Sequence, residues 1–451
     1  MVDLLKFWLS RLLVSFLFLA RTPTSLAFSF SSTMSNGGIS NSFGSVVTLK
    51  YTNGGSLDVL DQSVLPHEIA YLTCTEYMEV HDAIKSMKVR GAPAIGAAAA
   101  YGMALAAVEL EKGGSKGGKD FVSSMEKVRE KMDQARPTAV NLMYATARIL
   151  DVLHFVLDRQ AEASASLLRE CVEDEAHRLF NEDIENNRRL GSNGVDLIHS
   201  HAIPARAERE KGSSETHANG NGVAEGEFRF IHHCNTGHLA TAGHGTALGV
   251  IFSMQETGKK IFVNVDETRP RLQGAKLTCW ELKQTGIPHS LNVDGASGLL
   301  MYRGQVDAVV FGADRVAANG DVANKIGTFN LAMAAKAHGV PVYACVPTST
   351  VDVSLTSGRD IPIEERDASE VTEVGASGCI PPVGTPVFNP AFDITPAEYI
   401  DAIITEEGAL RPPFLGALKE AKEKAVQREA ERRKEALSQL EAKLKSRKTA
   451  A

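Results

Sequence analysis

The second half of the chain alternates between short apolar runs and segments that suit a helix. Five runs are rich in β-branched residues, namely FRFIHHC, KIFVNVDE, HSLNVD, VDAVVFGADRV and PVYACVP, and helix-compatible stretches follow the first four. This alternation predicts an α/β fold with a Rossmann-like, doubly wound parallel sheet over residues 227–410. Ligands of such sheets bind outside the carboxyl ends of the strands. The residues predicted at those ends are Cys234, Asp266, Glu267, Asp294, Asp314 and Pro347.

Residues 46–199 have a different pattern. The stretch VVTLKYTNGGSLDVLDQ places two alternating runs around Asn53-Gly54, which predicts a β-hairpin. Helical periodicity then continues through YMEVHDAIKSMKVR, PAIGAAAAYGMALAAVEL, KDFVSSMEKVREKMDQA and VNLMYATARILDVLHFVLDR. We therefore expect a small domain, a hairpin plus helices, ahead of the sheet.

The first residues, 1–33, resemble a leader. Lys6 and Arg11 precede an apolar run that extends from Leu12 to Ala20, and Ser25-Leu26-Ala27 offers a small-residue cleavage site. The run is too short to span a bilayer. Met34 provides an alternative start, in which case residues 1–33 are an extension of the gene model. Both interpretations stay open.

Two further segments lie outside the periodic pattern. Residues 200–226 are rich in Gly, Ser, Glu and Asn with no apolar period, which predicts a disordered insertion. Residues 411–451 form a charged helical or disordered tail, with Leu437, Leu440 and Leu444 along one stripe. No function follows from either segment.

Composition narrows the class of partner. The 451 residues are 43% hydrophobic and 23% charged, with a net charge of -7, and no basic patch interrupts the main part of the chain. We therefore expect no nucleic-acid partner and no stable membrane association. The six cysteines are scattered without a CxxC pair, which is typical of a reduced compartment without disulfides.

The stretch HHCNTGHLATAGHGTALG, residues 232–249, carries the most reactive side chains. His232, His233, Cys234 and His238 are zinc-ligand types, but neighbours in a strand point to opposite faces and no second cluster completes a site. The glycines lack the GxGxxG spacing and no Walker lysine follows, so a nucleotide site is also disfavoured. A strand-to-helix turn at which the backbone approaches a small ligand is the better interpretation.

Five long motifs occur in order along the chain. They are VRGAPAIGAAAAYG at 89–102, RPTAVNL at 136–142, HCNTGHLATAGHGTALGVI from 233, VDETRPRLQGAKLTCWEL at 265–282 and VFGADRVAANGDVANKIGTFNLA at 310–332. Together they resemble the methylthioribose-1-phosphate isomerases. That family shares its fold with the alpha, beta and delta regulatory subunits of the guanine-nucleotide exchange factor of translation initiation. The resemblance covers about residues 46 to 405.

The resemblance implies an enzyme of methionine salvage and methionine biosynthesis. Its expected reaction is the aldose–ketose isomerisation of 5-methylthioribose 1-phosphate to 5-methylthioribulose 1-phosphate, with no metal and no organic cofactor. Cys234 and Asp314 are the implied catalytic pair. The implied substrate contacts are Arg90, Gly91, Ala92, Arg136, Gln273, Asn324 and Lys325. A homodimer in the cytoplasm, and also in the nucleus, is implied as well, although the leader leaves entry into an organelle open.

The chemistry can be considered apart from the resemblance. A sugar whose anomeric oxygen carries a phosphate cannot open spontaneously, so the ring oxygen has to receive a proton from the enzyme. Asp314 follows an apolar strand, where burial would raise its pKa and keep a proton available. A helix or turn cap is the alternative role for Asp314, and a small buried hydrophobe is the alternative for Cys234.

Three cations are candidates for the phosphate. Arg90 and Arg136 each stand just before a predicted helix start, where a guanidinium and free backbone N–H groups form an anion site. Lys325 is expected at a helix start, an unfavourable place for a cation unless an anion binds there. Surface arginines without a ligand are the alternative.

Two other functions remain open at this stage. A non-catalytic regulatory subunit of the exchange factor would have the same fold but no need for both catalytic residues. A ribose-1,5-bisphosphate isomerase would need cations for two phosphates, whereas a 5-methylthio group needs an apolar slot.

Overall fold

The computed structural model describes residues 46–137, 139–212, 227–374 and 378–450. The predicted leader, 1–33, lies outside the described residues, as does the 213–226 part of the predicted insertion. The described part begins with a three-stranded antiparallel sheet of β1 (Leu49–Thr52), β2 (Ser56–Leu60) and β3 (Tyr71–Cys74). The predicted hairpin is present, and Gly54 takes a positive φ of 79° in its turn.

Six helices follow this small sheet. They are α1 (Tyr77–Lys85), α2 (Ala92–Lys112), α3 (Gly118–Asp133), α4 (Val140–Arg159), α5 (Ala165–Leu197) and α6 (Ile203–Gly212). Helix α2 is long and apolar enough to cross a membrane, but 83% of its apolar window is buried. That burial is typical of the central helix of a core, which α2 forms with α3, α4 and α5.

The predicted insertion is helical over its first part. A π-helical turn, Ile198–Ala202, joins α5 to α6, so residues 200–212 are helical rather than disordered. Ile198 and Ala202 are buried against the central sheet, which explains why this polar-looking segment folds. Few apolar side chains of this segment face the core, Ala202 and Ile203 among them, so its helical period is weak in the sequence.

Eleven further strands and six further helices complete the described fold. The strands are β4 (Phe228–His232), β5 (Ile261–Asp266), β6 (His289–Asn292), β7 (Ala308–Phe311), β8 (Arg315–Ala317), β9 (Val322–Lys325), β10 (Val342–Cys345), β11 (Val351–Asp352), β12 (Phe392–Thr395), β13 (Ala402–Thr405) and β14 (Gly408–Leu410). The helices are α7 (Ala247–Glu256), α8 (Cys279–Gln284), α9 (Ser297–Tyr302), α10 (Thr328–Ala337), α11 (Ser369–Thr372) and α12 (Phe414–Ala450).

The central sheet has seven strands in the order β14-β13-β10-β7-β4-β5-β6. All pairs are parallel except β13–β14, which confirms the predicted parallel sheet behind a helical N-terminal region. Alternate residues of its strands enter different cores: Phe230 and Val310 face one, Ile231 and Val309 the other. Both faces are therefore buried, as the continuous apolar runs predict.

A second, four-stranded sheet was not expected from the sequence. Its order is β11-β8-β9-β12, with β8 and β9 forming an antiparallel hairpin directly after β7. The sequence predicted a helix start at Lys325, but Lys325 ends β9, and α10 begins three residues later. Strands of three or four residues such as RVA and VANK are too short to display a period.

The charged tail folds as the long helix α12. Near its start, Phe414 and Leu418 are buried against the central sheet, and near its end Leu440 and Leu444 join the core of the N-terminal helices. Arg432 also pairs with Glu185 at 2.6 Å. The leucine stripe is therefore internal packing, and α12 braces one part of the molecule against the other.

Candidate active site

The site lies where the order of the central strands reverses. From β4 the chain moves outward through β5 to β6, then returns to β7 on the other side of β4 and continues through β10 to β13. The loops after β4 and β7 thus leave in opposite directions and open a crevice between them. Cys234 follows β4 and Asp314 follows β7, so both stand at this crevice.

The crevice opens into a cavity of about 1220 Å³, its mouth included. Every residue predicted for the site lines it: Cys234, Asp314, Arg90, Gly91, Ala92, Arg136, Gln273, Asn324 and Lys325. These residues come from six separate stretches of chain, so their convergence depends on the fold rather than on sequence proximity.

Cys234 is held in an unusual backbone conformation. Its φ is +69°, in the left-handed region that a residue with a Cβ rarely adopts. Two threonines fix it: the Cys234 N–H donates to Thr268 Oγ1 at 2.9 Å, and its carbonyl accepts from the Thr278 hydroxyl at 2.5 Å. Asp294 in turn accepts the Thr268 N–H at 2.7 Å. The position of the thiol is therefore set by groups on the loops that follow β5 and β6.

Both members of the pair retain a proton more readily than usual. Burial raises the pKa of the Cys234 thiol, against the opposing charge of Lys325. Asp314 faces the cavity and is open to it, but the cavity is deep, and desolvation raises the pKa of its carboxyl although Lys325 and Arg136 oppose the rise. Arg315 turns away to Asp352 at 3.4 Å, so it does not neutralise Asp314.

A wall of unpaired cations lies on the same cavity. Within the described ranges, no carboxylate comes within 4.0 Å of Arg90, Arg136 or Lys325. Arg90 Nε is buried without a hydrogen-bond partner, and burial together with Arg271 and Arg136 lowers its pKa to about 10, so the guanidinium remains charged at neutral pH. Lys325 Nζ lies 4.4 Å from the centre of the Phe392 ring. Such a group of cations is suited to an anion.

Gly91 and Ala92 add backbone donors to this wall. Gly91 precedes the 21-residue helix α2 with a φ of 88°, and a Cβ there would lie 2.1 Å from the Ala240 carbonyl oxygen. Only glycine fits, and the first N–H groups of α2 have no partner within the helix. Helix start and guanidinium together form an anion site next to Arg136.

Two amides complete the predicted set. Gln273 is nearly buried at 8% exposure, and its Oε1 has no hydrogen-bond partner among the described residues. Asn324 Nδ2 donates to Thr328 Oγ1 at 3.0 Å, which leaves its oxygen for the cavity. These groups are suited to sugar hydroxyls.

The histidines of the motif do not converge on a metal site. His232 binds the Val310 carbonyl at 3.0 Å, while His233 lies behind Cys234 and contacts Asp266 at 3.1 Å. His233, Asp266 and Asp294 do bring ligand atoms within 4.8 Å of one another. Each of them already makes hydrogen bonds within the protein, so the donor set is a hydrogen-bonded ion pair rather than an open cage.

Some site residues gave no signal in the sequence. Asn235 lines the cavity and its Nδ2 donates to Glu281 Oε1 at 2.7 Å, while the His238 N–H donates to Glu281 Oε2 at 2.7 Å. Burial raises the pKa of Glu281 to about 7. A Cβ on Gly237 would lie 2.2 Å from Glu281, so the glycine of NTG is required by close approach. Glu281 follows on a different helix, which sequence spacing does not reveal.

Other charged residues on the cavity wall neutralise one another. Arg271 pairs with Glu370 at 2.6 Å, and Arg366 pairs with both Glu370 and Glu364 at 2.7 Å. Apolar side chains of Met87 and Leu277 also line the cavity. Unlike Arg90 and Arg136, these arginines are already occupied.

Comparison with known proteins agrees with this architecture. Residues 88–412 match the Initiation factor 2 subunit family, and the chain belongs to that family. A Pelotomaculum thermopropionicum methylthioribose-1-phosphate isomerase is 46% identical over 368 residues, which cover 81% of this chain and 92% of the relative. Within the family, the chain therefore groups with the methylthioribose-1-phosphate isomerases.

Solved structures show the same relationship. The 5-methylthioribose 1-phosphate isomerase of Pyrococcus horikoshii OT3 superposes with a TM-score of 0.73 at 39% identity, covering 85% of this chain and 97% of that one. The translation initiation factor eIF-2B subunit delta from A. fulgidus gives a TM-score of 0.69 at 35% identity, covering 84% of this chain and 100% of that one. Fold alone thus does not separate the enzyme from the initiation-factor subunits.

Proposed function

We propose that the chain is the aldose–ketose isomerase that converts 5-methylthioribose 1-phosphate to 5-methylthioribulose 1-phosphate in methionine salvage. The observation that supports it best is the meeting of Cys234 and Asp314 at one crevice, beside cations without a protein partner. Isomerase relatives at 46% identity support the same activity.

The first step is the opening of the sugar ring. Asp314, protonated because of its raised pKa, donates a proton to the ring oxygen as the bond between that oxygen and C1 breaks. The electron pair of that bond leaves with the ring oxygen, and positive charge develops at C1. Arg90, Arg136 and the start of α2 hold the phosphate on C1.

The second step moves a hydrogen from C2 to C1. In a direct transfer, the hydrogen moves with its electron pair, and the C2 hydroxyl becomes a carbonyl by returning a proton to the Asp314 carboxylate that the first step produced. In the enediolate route, a base removes the C2 hydrogen as a proton and returns a proton at C1, and the C2 hydroxyl again gives its proton to the Asp314 carboxylate. The raised pKa of the Cys234 thiol keeps it protonated at neutral pH and so makes it a weak base for the C2 hydrogen, which favours direct transfer, and both routes leave the enzyme in its starting protonation state.

The charge distribution favours an uncharged 5-substituent. Ribose 1,5-bisphosphate would place a second phosphate in the cavity, but Arg271 and Arg366 are neutralised by Glu370 and Glu364. Met87 and Leu277 offer apolar surface to a methylthio group. A role as a regulatory subunit, which the A. fulgidus neighbour suggests, gives no reason for the unpaired cations.

The test is a turnover assay with both substrates. Purified protein should convert 5-methylthioribose 1-phosphate with a kcat/KM at least a hundredfold above that for ribose 1,5-bisphosphate, because uncompensated desolvation of a second phosphate is costly. Equal turnover would indicate the bisphosphate enzyme, and no turnover of either would indicate a binding subunit.

Assembly and location are further parts of the proposal. We infer a homodimer, because β6 ends the central sheet, and Leu291 on it and Val293 directly after it are more than half exposed. Analytical ultracentrifugation tests this directly. We place the enzyme in the cytoplasm and the nucleus; fluorescent fusions that begin at Met1 and at Met34 would reveal whether the leader redirects it to an organelle.

A further inference from the structure

We propose that His233 is a positioning residue, a buried imidazolium that ties the strand end carrying Cys234 to the turn carrying Lys325. The inference rests on the proposed function for its catalytic consequence, but the link itself is defined by contacts among residues that do not line the cavity. The resemblance to the isomerase family implies no role for this histidine.

Both ring nitrogens of His233 face acceptors. Nδ1 lies 3.1 Å from Asp266 Oδ2 and Nε2 lies 2.9 Å from the Ile326 carbonyl oxygen. A neutral imidazole has only one N–H, so with Asp266 ionised both contacts are hydrogen bonds when the ring carries two protons. The ring is 1% exposed, and Ser297 Oγ donates to the other oxygen of Asp266 at 2.6 Å. The pair is therefore a buried ion pair with its remaining acceptor satisfied.

The surrounding charges keep this proton in place. Burial alone would lower the pKa of His233, but the hydrogen bond and charge of Asp266 raise it above the ordinary value, with a smaller effect of Asp294. Asp393 on β12 also faces the ring, and His232 on the same strand is the opposing neighbour. Three carboxylates thus face one buried imidazolium.

The contact with Ile326 connects His233 to the turn after β9. Ile326 follows Lys325 directly, and Gly327 after it has a φ of 103° and would place a Cβ only 3.0 Å from the His233 ring. The Gly327 N–H donates to Asp393 at 2.7 Å. The turn after β9 is therefore held between His233 and Asp393, and glycine is needed for the ring to fit.

This link connects the segment that carries the Cys234 thiol with the segment that carries the Lys325 ammonium. His233 is the chain neighbour of Cys234, and Lys325 is the chain neighbour of Ile326, so the contact between His233 Nε2 and the Ile326 carbonyl joins the segments that carry the thiol and the ammonium. Lys325 opposes the raised pKa of both Cys234 and Asp314. Displacing the turn would change both groups, whereas Arg90 and Arg136 would still hold the phosphate.

Two amide substitutions separate the two contacts of the ring. His233→Gln places an amide nitrogen near the position of Nε2 and can keep the bond to Ile326; His233→Asn places one near Nδ1 and keeps only the bond to Asp266. We expect His233→Asn to lose about tenfold to a hundredfold in kcat with KM within a few-fold, and His233→Gln to retain most activity. His201→Asn is the matched control, because it makes the same substitution at a histidine outside the cavity lining, whose Nδ1 lies 2.7 Å from the Tyr343 hydroxyl.

A second readout does not depend on turnover. In a Cys279→Ser, Cys379→Ser background, which leaves Cys74, Cys171 and Cys345 buried, the pH dependence of iodoacetamide alkylation reports on Cys234. Arg90 and Asp314 also face this thiol and are unchanged in the variants. We expect the alkylation midpoint to rise in His233→Asn, because Lys325 moves away, and to stay near that of the parent in His233→Gln.

These experiments distinguish failure of the proposed function from failure of the His233 link. If the parent protein lacks isomerase activity but the alkylation midpoint behaves as expected, the proposed function fails while the link stands. Equal kcat and equal midpoint in both variants would overturn the link, as would a ¹⁵N spectrum with a neutral His233 ring at pH 7. If His233→Asn fails to fold, the double variant His233→Asn, Asp266→Asn removes the carboxylate charge that the lost imidazolium leaves unpaired. We expect this double variant to show the same loss of kcat and the same rise of the alkylation midpoint.

Discussion

Cys234 and Asp314 follow two neighbouring parallel strands, β4 and β7, at the place where the strand order of the central sheet reverses. The register pairs His232 with Val310, so the two chains leave the sheet side by side. One residue reaches the cavity through a left-handed backbone held by two threonines, and the other through the start of an unexpected hairpin. Their proximity results from the sheet, and their precise placement from the loops.

Removing either proton-bearing group should abolish most activity. Asp314→Asn keeps the shape of the side chain but cannot exchange a proton, so kcat should fall by at least about 10²–10⁴ with little change in binding. Cys234→Ser should be similarly impaired. Steady-state kinetics measure both effects, and Cys279→Ser is the control because Cys279 is only half-buried and does not line the cavity. A fully active Asp314→Asn would contradict the proposed acid.

If Arg90 and Arg136 bind the phosphate, replacing either of them should lower kcat/KM, and replacing a neighbouring arginine should not. Arg90→Ala or Arg136→Ala removes a charge-assisted contact worth roughly 1.5–3 kcal/mol, which is about ten- to over a hundredfold in kcat/KM. Arg315→Ala is the matched control, because Arg315 stands next to Asp314 in sequence but pairs with Asp352. Circular dichroism should show that all three variants fold. Unchanged kinetics in both test variants would show that Arg90 and Arg136 do not bind the phosphate.

The parts of the site that the sequence predicted share one property. Cys234 and Asp314 end apolar strands, and Arg90 and Arg136 precede helices, so local pattern is sufficient to place them near a sheet edge or a helix start. Thr268, Glu281 and Phe392 act through contacts between distant segments, and nothing local distinguishes them from other polar or aromatic residues. The hairpin of β8 and β9 was missed for a different reason, since its strands are too short for alternation to register.

Helix α12 illustrates the same limit. A stripe of leucines on a charged helix predicts an apolar contact but does not say with what, and the structure places that contact within the chain. The insertion is similar, because its described part continues the helical path of α5, and residues 213–226 lie outside the described residues.

The tail should contribute to stability. Leu440→Ala and Leu444→Ala each remove a side chain that is at most 5% exposed, and each should lower the free energy of unfolding by about 2–4 kcal/mol. Leu415→Ala on the same helix is the control, because Leu415 is 63% exposed. Urea titration measures the difference. Equal midpoints for all three variants would mean that α12 does not pack on the helices in solution.

Two carboxyls with raised pKa values predict how stability changes with pH. Burial raises the pKa of Glu281 and of Asp183 to about 7 in the folded protein, above their ordinary values. Between their unfolded pKa values and pH 7 the folded state binds more protons, so the free energy of unfolding should decrease as pH rises through this range, by about 1–3 kcal/mol per group. Glu281→Gln cannot titrate and should flatten the slope. Urea titrations from pH 5 to pH 8 test this, and a stability that increases over the range would contradict it.

The route of the migrating hydrogen is open to a direct measurement. Cys234 and Asp314 lie in a deep cavity, and both pKa values are raised, so neither is a strong base at neutral pH. Without such a base, removal of the C2 hydrogen as a proton is disfavoured, and transfer with its electron pair is the expected path. Substrate deuterated at C2 should therefore give product that retains nearly all of the label at C1, as measured by NMR. Loss of the label to solvent would instead require an enediolate and an exchanging base, and Cys234, whose thiolate Lys325 stabilises, would be the group to examine first.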